Sequence, residues 1–271
     1  MSNAYTVITV DVADQIGVIK INRPGQLNAI NSAVMNELTL AMAELSERRD
    51  VSVIVLAANG RAFSAGFDLK ESAENNYTTV AQWRKVIDAD FNFIMQFWDC
   101  PKPTISAVHG HCLAGGMELA VACDITIADN SALFGEPEVK FGSSIVALIV
   151  PWLIGVKQAK QMLLTGDDRI PAQRAYEMGL INEVVEQGQH LNRALEIAQS
   201  ITGAASLSVQ MTKRAIHRSM DVRGMREALL SATDAAVLIE SSCGPERTEF
   251  NRIRSSEGLR AAIAWRNARN A

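Results

Sequence analysis

Two acidic residues in one segment are the strongest candidates for chemistry. The segment from His109 to Glu138 reads "HGHCLAGGMELAVACDITIADNSALFGEPE" and carries Glu118 just after a glycine pair and Glu138 just after a proline. Two positioned carboxyl groups can act as a general acid and a general base. Each alone has an ordinary structural explanation, since an acid is favoured in the first turn of a helix and a loop acid is usually solvated. Glu136 is a nearby rival to Glu138.

Two turns of small residues could supply backbone hydrogen-bond donors. "AFSAGFDL" contains Ala65 and Gly66, and "LAGGMEL" contains Gly115 and Gly116 at the start of a predicted helix. An isolated glycine pair more often serves close helix–sheet packing. Its occurrence beside a second bare turn favours an oxyanion hole, formed by the N–H groups of Ala65 and Gly115.

These turns belong to a series of strand, short strand and helix. The pattern occurs in "VIVLAANGRAFSAGFDL", "PTISAVHGHCLAGGMELA" and "DITIADNSALFGEPE", and residues 179–186 begin a fourth copy. Such a series predicts an α/β spiral whose turns open on one side. Before it, alternating apolar residues predict a hairpin near Asp14, and Asn31 or Ser32 is predicted to cap a helix.

Three further segments complete the predicted organisation. The polar first half of residues 71–83 is expected to be a loop that could cover a ligand, before a helix that begins at Val80. The apolar run of residues 143–156 is too short to span a membrane and is interpreted as a buried helix. After about residue 189 the pattern is helical, which is typical of a region for subunit contact.

The composition narrows the class of protein. The chain has 271 residues, a formal net charge of -4 and a pI near 5.7, whereas a general nucleic-acid binder is more often basic. The four cysteines lack C-x-x-C spacing, which disfavours a metal site and fits a reducing cytoplasm. The first residues lack the features of a secretion signal or transit peptide.

Taken together, these segments resemble the enoyl-CoA hydratase/isomerase family, also called the crotonase superfamily. The resemblance is carried by "INRPGQLNAI", "AFSAGFDLKE", "CPKPTISAVHGHCLAGGMELAVACDITIAD", "FGEPEVKFG" and "LTGDDRIPAQRAYEMGLINEVV". It implies a crotonase-like spiral core over residues 1–200 and a C-terminal helical trimerisation region over residues 201–271.

The resemblance also implies an activity. Its substrate would be an acyl-CoA whose thioester oxygen accepts hydrogen bonds from the N–H groups of Ala65 and Gly115. Glu118 and Glu138 match the two glutamates of family hydratases, so water addition to a 2-enoyl-CoA is expected. The residues that would contact the substrate are Ala65, Gly66, Phe67, Asp68 and Leu69. Coenzyme A would be part of the substrate, with no separate cofactor and no metal, and the chain would form a homotrimer or homohexamer.

One departure from the family pattern keeps alternatives open. Residues 143–155 read "SSIVALIVPWLIG" where family hydratases usually have a glycine-rich stretch. Double-bond isomerisation or C–C hydrolysis through the same enolate is the nearest alternative, and a non-catalytic or RNA-associated binding protein is another. His109 and His111 are interpreted as structural. The candidate ligands for the coenzyme A phosphates are Arg23, Lys70, Lys102 and Arg266.

Overall fold

The chain forms two sheets surrounded by helices. The computed structural model describes residues 5–75 and 77–269. The strands are β1 (Ile8–Ala13), β2 (Ile16–Ile21), β3 (Val53–Ala58), β4 (Ala62–Ser64), β5 (Thr104–Val108), β6 (His111–Leu113), β7 (Ile125–Asp129), β8 (Leu133–Gly135), β9 (Ile170–Pro171) and β10 (Glu183–Val185). The helices are α1 (Ser32–Glu47), α2 (Leu69–Glu74), α3 (Val80–Asp99), α4 (Gly115–Ala122), α5 (Val150–Leu153), α6 (Val156–Thr165), α7 (Ala172–Glu177), α8 (His190–Thr202), α9 (Ser206–Val222), α10 (Met225–Ser242), α11 (Pro245–Glu257) and α12 (Leu259–Ala268).

The strand order confirms the predicted spiral. The larger sheet has the order β1-β2-β3-β5-β7-β10, and the smaller has the order β4-β6-β8-β9. Each turn of the chain therefore places one strand in each sheet, as β3 then β4, β5 then β6, and β7 then β8. The pairs formed by these successive turns are parallel, so corresponding turns become neighbours at the same sheet edge.

Burial on both faces explains the apolar strands of the larger sheet. Every residue of β3 is buried, as expected for a parallel strand covered on both sides. A large apolar cluster fills one face, and a smaller cluster including Ala194 and Ala198 of α8 covers the other. Helix α4 is buried along its whole length, which agrees with its lack of a polar face.

The local predictions near the N-terminus are confirmed in part. The hairpin turns through Asp14 and Gln15, and the side chain of Asn31 caps α1 by accepting a hydrogen bond from the N–H of Val34. The loop predicted in the first half of residues 71–83 is wrong at its start, because α2 continues through Glu74. The helix predicted to follow it from Val80 is confirmed as α3. Residue 76 of that segment lies outside the described residues.

The predicted helix over residues 143–156 is also wrong. Only α5, four residues long, is helical before α6 begins at Val156. The reason is that the N–H groups of Ser144, Val146 and Ala147 donate to glutamate side chains instead of to carbonyls of a helix. A sequence pattern reports apolar burial here but does not distinguish a helix from an irregular buried segment.

The region after residue 189 is helical, as predicted, from α8 to α12. Helix α9 is joined to the core by Lys213, whose Nζ lies 2.7 Å from Oδ2 of Asp124 and also donates to the Lys102 carbonyl. None of the described helices has the length and apolar character needed to cross a membrane. The division at residue 200 stays a prediction, and α8 ends at Thr202.

Replacing Lys213 by Met should destabilise the protein. Although burial alone would raise the pKa of Asp124, hydrogen bonds from His217 and Lys213 hold that pKa below its ordinary value. Removing the cation leaves a largely buried carboxylate without its lysine partner, although Thr104 and His217 still contact it, and loss of a buried ion-pair partner typically costs about 3 kcal/mol. Urea denaturation at neutral pH should show this loss in the free energy of unfolding.

The difference between parent and Lys213→Met should shrink in acid. A carboxyl whose pKa is lowered by folding stabilises the protein above the ordinary pKa, and this stabilisation disappears as the pH falls through the lowered value. Exchange of the exposed Lys160 for Met is the matched control and should change little. Equal stability of Lys213→Met and the parent would show that this ion pair does not anchor α9.

Candidate active site

The first small-residue turn, which contains Ala65 and Gly66, contacts the second, which contains Gly115 and Gly116. The contact is between Gly66 and Gly115. Gly66 has φ of +88°, and a Cβ placed there would lie 2.5 Å from the Cβ of Ala114 and 3.3 Å from the nitrogen of Gly115. A Cβ on Gly115 would lie 2.5 Å from the ring of Phe67. The two turns are therefore in direct contact, and both positions need glycine because no space remains for a side chain.

The geometry corrects one predicted oxyanion donor. The N–H of Ala65 donates to the carbonyl of Leu27 at 3.0 Å, so it is not available to a ligand. The N–H groups of Phe67 and Gly115 have no acceptor among residues 5–75 and 77–269. In the parallel bridge between Phe67 and Ile30, the hydrogen bonds are made by the carbonyl of Gly66 and the N–H of Asp68. The N–H of Phe67 therefore points away from Ile30.

The turn before Gly115 is held in a strained conformation. Ala114, the residue before α4, has φ of +56° and ψ of -140°, a region that residues with a side chain rarely adopt and that costs on the order of 1–3 kcal/mol. Its N–H donates to the carbonyl of Gly135, and its carbonyl accepts from the N–H groups of Met117 and Glu118. These bonds fix the start of α4, where unpaired N–H groups and the helix dipole favour negative charge.

Three glutamates lie together close to this turn. Glu118 on α4 and Glu136 and Glu138 after β8 are all buried, and one oxygen from each lies within 4.8 Å of the others. The structure thus brings the two predicted acids together and adds Glu136, which the sequence had offered as an alternative to Glu138. Carboxylate oxygens at this spacing could also hold a hard cation, if all three were ionised.

The carboxylate of Glu118 is held by the backbone of the segment before α5. Its Oε2 accepts from the N–H of Ala147 at 2.7 Å, and its Oε1 accepts from the N–H of Val146 at 3.2 Å. Since these donors are peptide groups, the apolar side chains of residues 143–155 do not prevent the segment from orienting an acid. The departure from the family's glycine-rich pattern therefore leaves this function intact.

Burial dominates the ionisation of all three acids. It raises the pKa of Glu118, and the charge of Glu138 raises it further, while the two N–H donors oppose the rise. Burial also raises the pKa of Glu138, against hydrogen bonding from Glu136 and the positive charge of Arg266. The pKa of Glu136 lies well above its ordinary value because of burial and its two acidic neighbours. The cluster therefore retains protons near neutral pH.

The C-terminal helices support the segment that holds Glu118. Glu240 on α10 is buried and accepts hydrogen bonds from the hydroxyls of Ser143 and Ser144 and from the N–H of Ser144. Its other oxygen pairs with Arg247 on α11 at 2.9 Å. Helices α10 and α11 are thus connected to the N–H groups that orient Glu118.

The predicted phosphate ligands have four different environments. Lys102 is wrong as a ligand, because its buried Nζ donates to the carbonyls of Leu45 and Arg48 at 2.7 and 2.6 Å. Arg23 pairs with Asp68 in the first turn region, and Lys70 is exposed on α2. Arg266 pairs with Asp168 at 2.9 Å, and its charge acts on Glu138. Of the four candidate phosphate ligands, Lys70 is the one whose side chain is exposed beside the first turn.

The histidines have positions outside the acid cluster. The Nε2 of His109 bonds to the carbonyl of Gly60 at 2.9 Å, and its ring stacks on that of His190. His190 in turn lies 3.0 Å from Asp129. His111 is exposed on β6. The contacts of His109 agree with its predicted structural role.

Three parts of the site have little or no signature in the sequence: the N–H of Phe67 as a donor, the peptide donors of Val146 and Ala147, and the support from Glu240. Phe67 carried a weak signal, since it follows Gly66 and was predicted to contact the substrate. The peptide donors carried none, because a backbone group leaves no trace in residue type. Glu240 lies far along the chain in an amphipathic helix, where a buried acid looks like any other polar residue.

Comparison with known proteins gives consistent results. The family model for enoyl-CoA hydratase/isomerase matches residues 11–239. A probable enoyl-CoA hydratase of Mycobacterium bovis is 34% identical over 241 residues, covering 83% of this chain and 86% of that protein. A short-chain-enoyl-CoA hydratase of Clostridium acetobutylicum is 36% identical over 216 residues, covering 76% of this chain and 79% of that protein.

Solved structures agree with the sequence matches. The crystal structure of an enoyl-CoA hydratase/isomerase from Xanthobacter autotrophicus Py2 superposes with a TM-score of 0.96 at 43% identity, covering 98% of this chain and 99% of that one. An enoyl-CoA hydratase from Mycobacterium smegmatis superposes with a TM-score of 0.89 at 26% identity, over 97% and 94% of the two chains. The match in each case extends through the C-terminal helices.

Substitution of Gly66 by Ala should destabilise the protein by about 1–3 kcal/mol, because the left-handed backbone and the contact with Ala114 both oppose a side chain. Urea denaturation measures the change in the free energy of unfolding. Gly155→Ala is the matched control, since Gly155 has φ of -64° and no atom near the position of a Cβ. If both variants were equally stable, the close contact between the turns would be wrong.

Proposed function

The chain belongs to the enoyl-CoA hydratase/isomerase family, and on this premise we propose that it is an enoyl-CoA hydratase, which adds water across the 2,3 double bond of an enoyl-CoA thioester. The observation that carries the proposal is that Glu118 and Glu138 are buried in one cluster, and that α4, which carries Glu118, starts at Gly115, whose N–H has no acceptor among the described residues. This combination supplies acid–base groups and an electrostatic site for a thioester oxygen.

Charge moves towards the thioester oxygen during the reaction. As water attacks C3, electrons shift through the double bond and the oxygen takes on the character of an enolate. Donors that bind this developing charge more strongly than the neutral carbonyl accelerate the step. We assign the donor role to the N–H groups of Phe67 and Gly115, with the dipole of α4 favouring the same charge.

The two acids divide the proton transfers between them. Addition of water requires a group that accepts a proton from the water and a group that delivers one to C2. Two neighbouring buried carboxyls suit this task, because their mutual repulsion disfavours ionisation of both and leaves one as carboxylate and one as acid. The contacts of Glu118 with Val146 and Ala147 restrict its orientation while it exchanges a proton.

The first turn is the proposed contact surface for the substrate. Residues 65–68 lie between β4 and α2, Leu69 begins α2, and the turn presents backbone at Gly66 and the ring of Phe67 beside Gly115. Coenzyme A is part of the substrate, so the proposed reaction uses no separate cofactor and no metal. Exposed Lys70 is the proposed contact for a phosphate. We place the protein in the cytoplasm, where its four free cysteines would remain reduced.

The C-terminal helices are proposed to assemble a homotrimer or homohexamer. Large apolar side chains are exposed along α9 and α10, whereas single exposed apolar residues elsewhere need no explanation. The exposed residues are Leu207, Met211, Ile216, Val222, Leu230, Leu238 and Ile239. Covering them in an assembly would remove this apolar surface from water.

Exchange of either acid for glutamine should abolish most of the hydration activity. Loss of a general acid or base typically lowers the rate by about 10²–10⁴-fold. The measurement is the loss of conjugated thioester absorbance with 2-enoyl-CoA substrates of several chain lengths, for the parent, Glu118→Gln and Glu138→Gln. Glu37→Gln is the matched control, since Glu37 lies on α1 and binds the N-terminal backbone.

The outcomes separate the candidate reactions. No loss of absorbance with the parent at any chain length would reject hydration. Movement of the double bond without water addition would indicate an isomerase, and a cleaved acyl chain would indicate C–C hydrolysis. A glutamine variant as active as the parent would remove that glutamate from the mechanism.

The assembly should depend on the exposed side chains of α10. Leu238→Arg places a charge in the proposed interface and should reduce the mass of the particle below that of the parent trimer or hexamer. Size-exclusion chromatography with light scattering gives this mass. Leu40→Arg on α1, an equally apolar exposed position outside the C-terminal helices, is the control. A monomeric parent would reject the assembly.

A further inference from the structure

Glu136 has an environment that a hydratase with two catalytic acids does not require. Its side chain is fully buried, and neither of its oxygens receives a hydrogen bond from any N–H or O–H donor of the described residues. The Oε2 of Glu138 is in the same situation. An ionised carboxyl that is buried without donors is strongly destabilised, because it loses the hydration it would have in water. The two oxygens of Glu136 and the Oε2 of Glu138 therefore need a hydrogen-bond donor other than the N–H and O–H groups around them.

The missing partner is the neighbouring carboxyl. One oxygen of Glu136 lies within 4.8 Å of one oxygen of Glu138, and a hydrogen bond between the two side chains contributes to the pKa of each. Two carboxylates only accept hydrogen bonds and repel, whereas a carboxylic acid can donate to a carboxylate. One proton between Glu136 and Glu138 thus provides a partner for both side chains and removes one of two adjacent negative charges.

The surroundings decide which of the two residues holds that proton. No N–H or O–H donor of the described residues reaches the carboxyl oxygens of Glu136, and the charges that act on it are those of Glu138 and Glu118. The carboxyl of Glu138 accepts a hydrogen bond from its own backbone, and the positive charge of Arg266 acts on it. Both contacts lower the pKa of Glu138. These contacts stabilise a carboxylate on Glu138, while burial and the charges of Glu118 and Glu138 stabilise the neutral form of Glu136.

We propose that Glu136 is a positioning residue that remains protonated and donates a hydrogen bond to Glu138, so that Glu138 is the ionised member of the catalytic pair. Glu138 then begins the hydration as the proton acceptor, and Glu136 keeps its proton throughout. The consequence for catalysis rests on the proposed hydratase function, but the protonation of Glu136 does not.

Other titratable groups face the cluster from several elements, and they would respond to the same changes. They are Asp90 on α3, Cys112 on β6, Glu118 on α4, Glu240 on α10 and Arg266 on α12. Comparison of variants that differ only at residue 136 keeps these groups constant. Each variant should first be shown to unfold cooperatively, so that a change in activity is not a loss of folding.

Two substitutions separate donation of a hydrogen bond from the titration of an acid. Glu136→Gln keeps an N–H donor without a titratable proton, and Glu136→Leu removes the donor. The measurement is kcat/KM for hydration as a function of pH, whose acidic limb reports the ionisation of the base. We expect Glu136→Gln to follow the parent. For Glu136→Leu we expect the limb to move to higher pH by about one unit and activity below the limb to fall about tenfold.

Opposite results would overturn the proposal. If Glu136 were ionised in the parent, both substitutions would remove a negative charge and move the limb to lower pH. An unchanged limb in Glu136→Leu would show that the residue does not act on Glu138. If Glu136→Gln lost as much activity as Glu136→Leu, the role of Glu136 would be proton transfer and not donation.

An infrared measurement tests the protonation without turnover. The carbonyl stretch of a protonated carboxyl is separate from the bands of a carboxylate, so the parent at neutral pH should show acid carbonyl absorbance, part of which is lost in Glu136→Gln. Persistence of all this absorbance would reject the proposal, even if the enzyme hydrates enoyl-CoA well. Conversely, a parent without any hydration activity would reject the proposed function, while the infrared result would still decide the state of Glu136.

Discussion

The central constraint on this site is the burial of three carboxyl groups within reach of one another. In water each would be ionised at neutral pH, but burial and mutual repulsion raise the pKa values of Glu118, Glu136 and Glu138. The cluster therefore holds protons that it can exchange near pH 7. The backbone donors of the site offset the cost of burying Glu118, and the proposed reaction depends on having one carboxylic acid and one carboxylate side by side.

Backbone groups offset the burial of Glu118 and supply donors for a ligand, whereas no N–H or O–H donor of the described residues reaches Glu136. Glu118 is bound by two peptide N–H groups of a segment whose side chains are apolar, and the N–H groups of Phe67 and Gly115 remain free for a ligand. Such donors are oriented before a substrate arrives, so no reorganisation is needed as charge develops. The strained turn at Ala114 is part of the same arrangement, because it directs the start of α4 towards the first turn.

The C-terminal helices have a second role besides the proposed assembly. Glu240 and Arg247 connect α10 and α11 to Ser143 and Ser144, and thereby to the peptide groups that orient Glu118. The apolar surface of α9 and α10 lies on the same helical region. In the proposed assembly, the same helices would carry the subunit contact and support the segment that orients Glu118.

The sequence by itself predicted the spiral, the meeting of the two turns and the proximity of Glu118 to Glu138, because apolar periodicity and the placement of glycines and acids are properties of residue type. It did not determine which N–H groups are free, since Ala65 loses its donor to Leu27 through a contact between distant segments. It also did not determine the shape of residues 143–149 or the place of Glu136 in the cluster. Only the tertiary structure decided these features. Whether a peptide N–H is free, and whether a buried carboxyl keeps its proton, depends on the groups packed around it, and these come from distant parts of the chain.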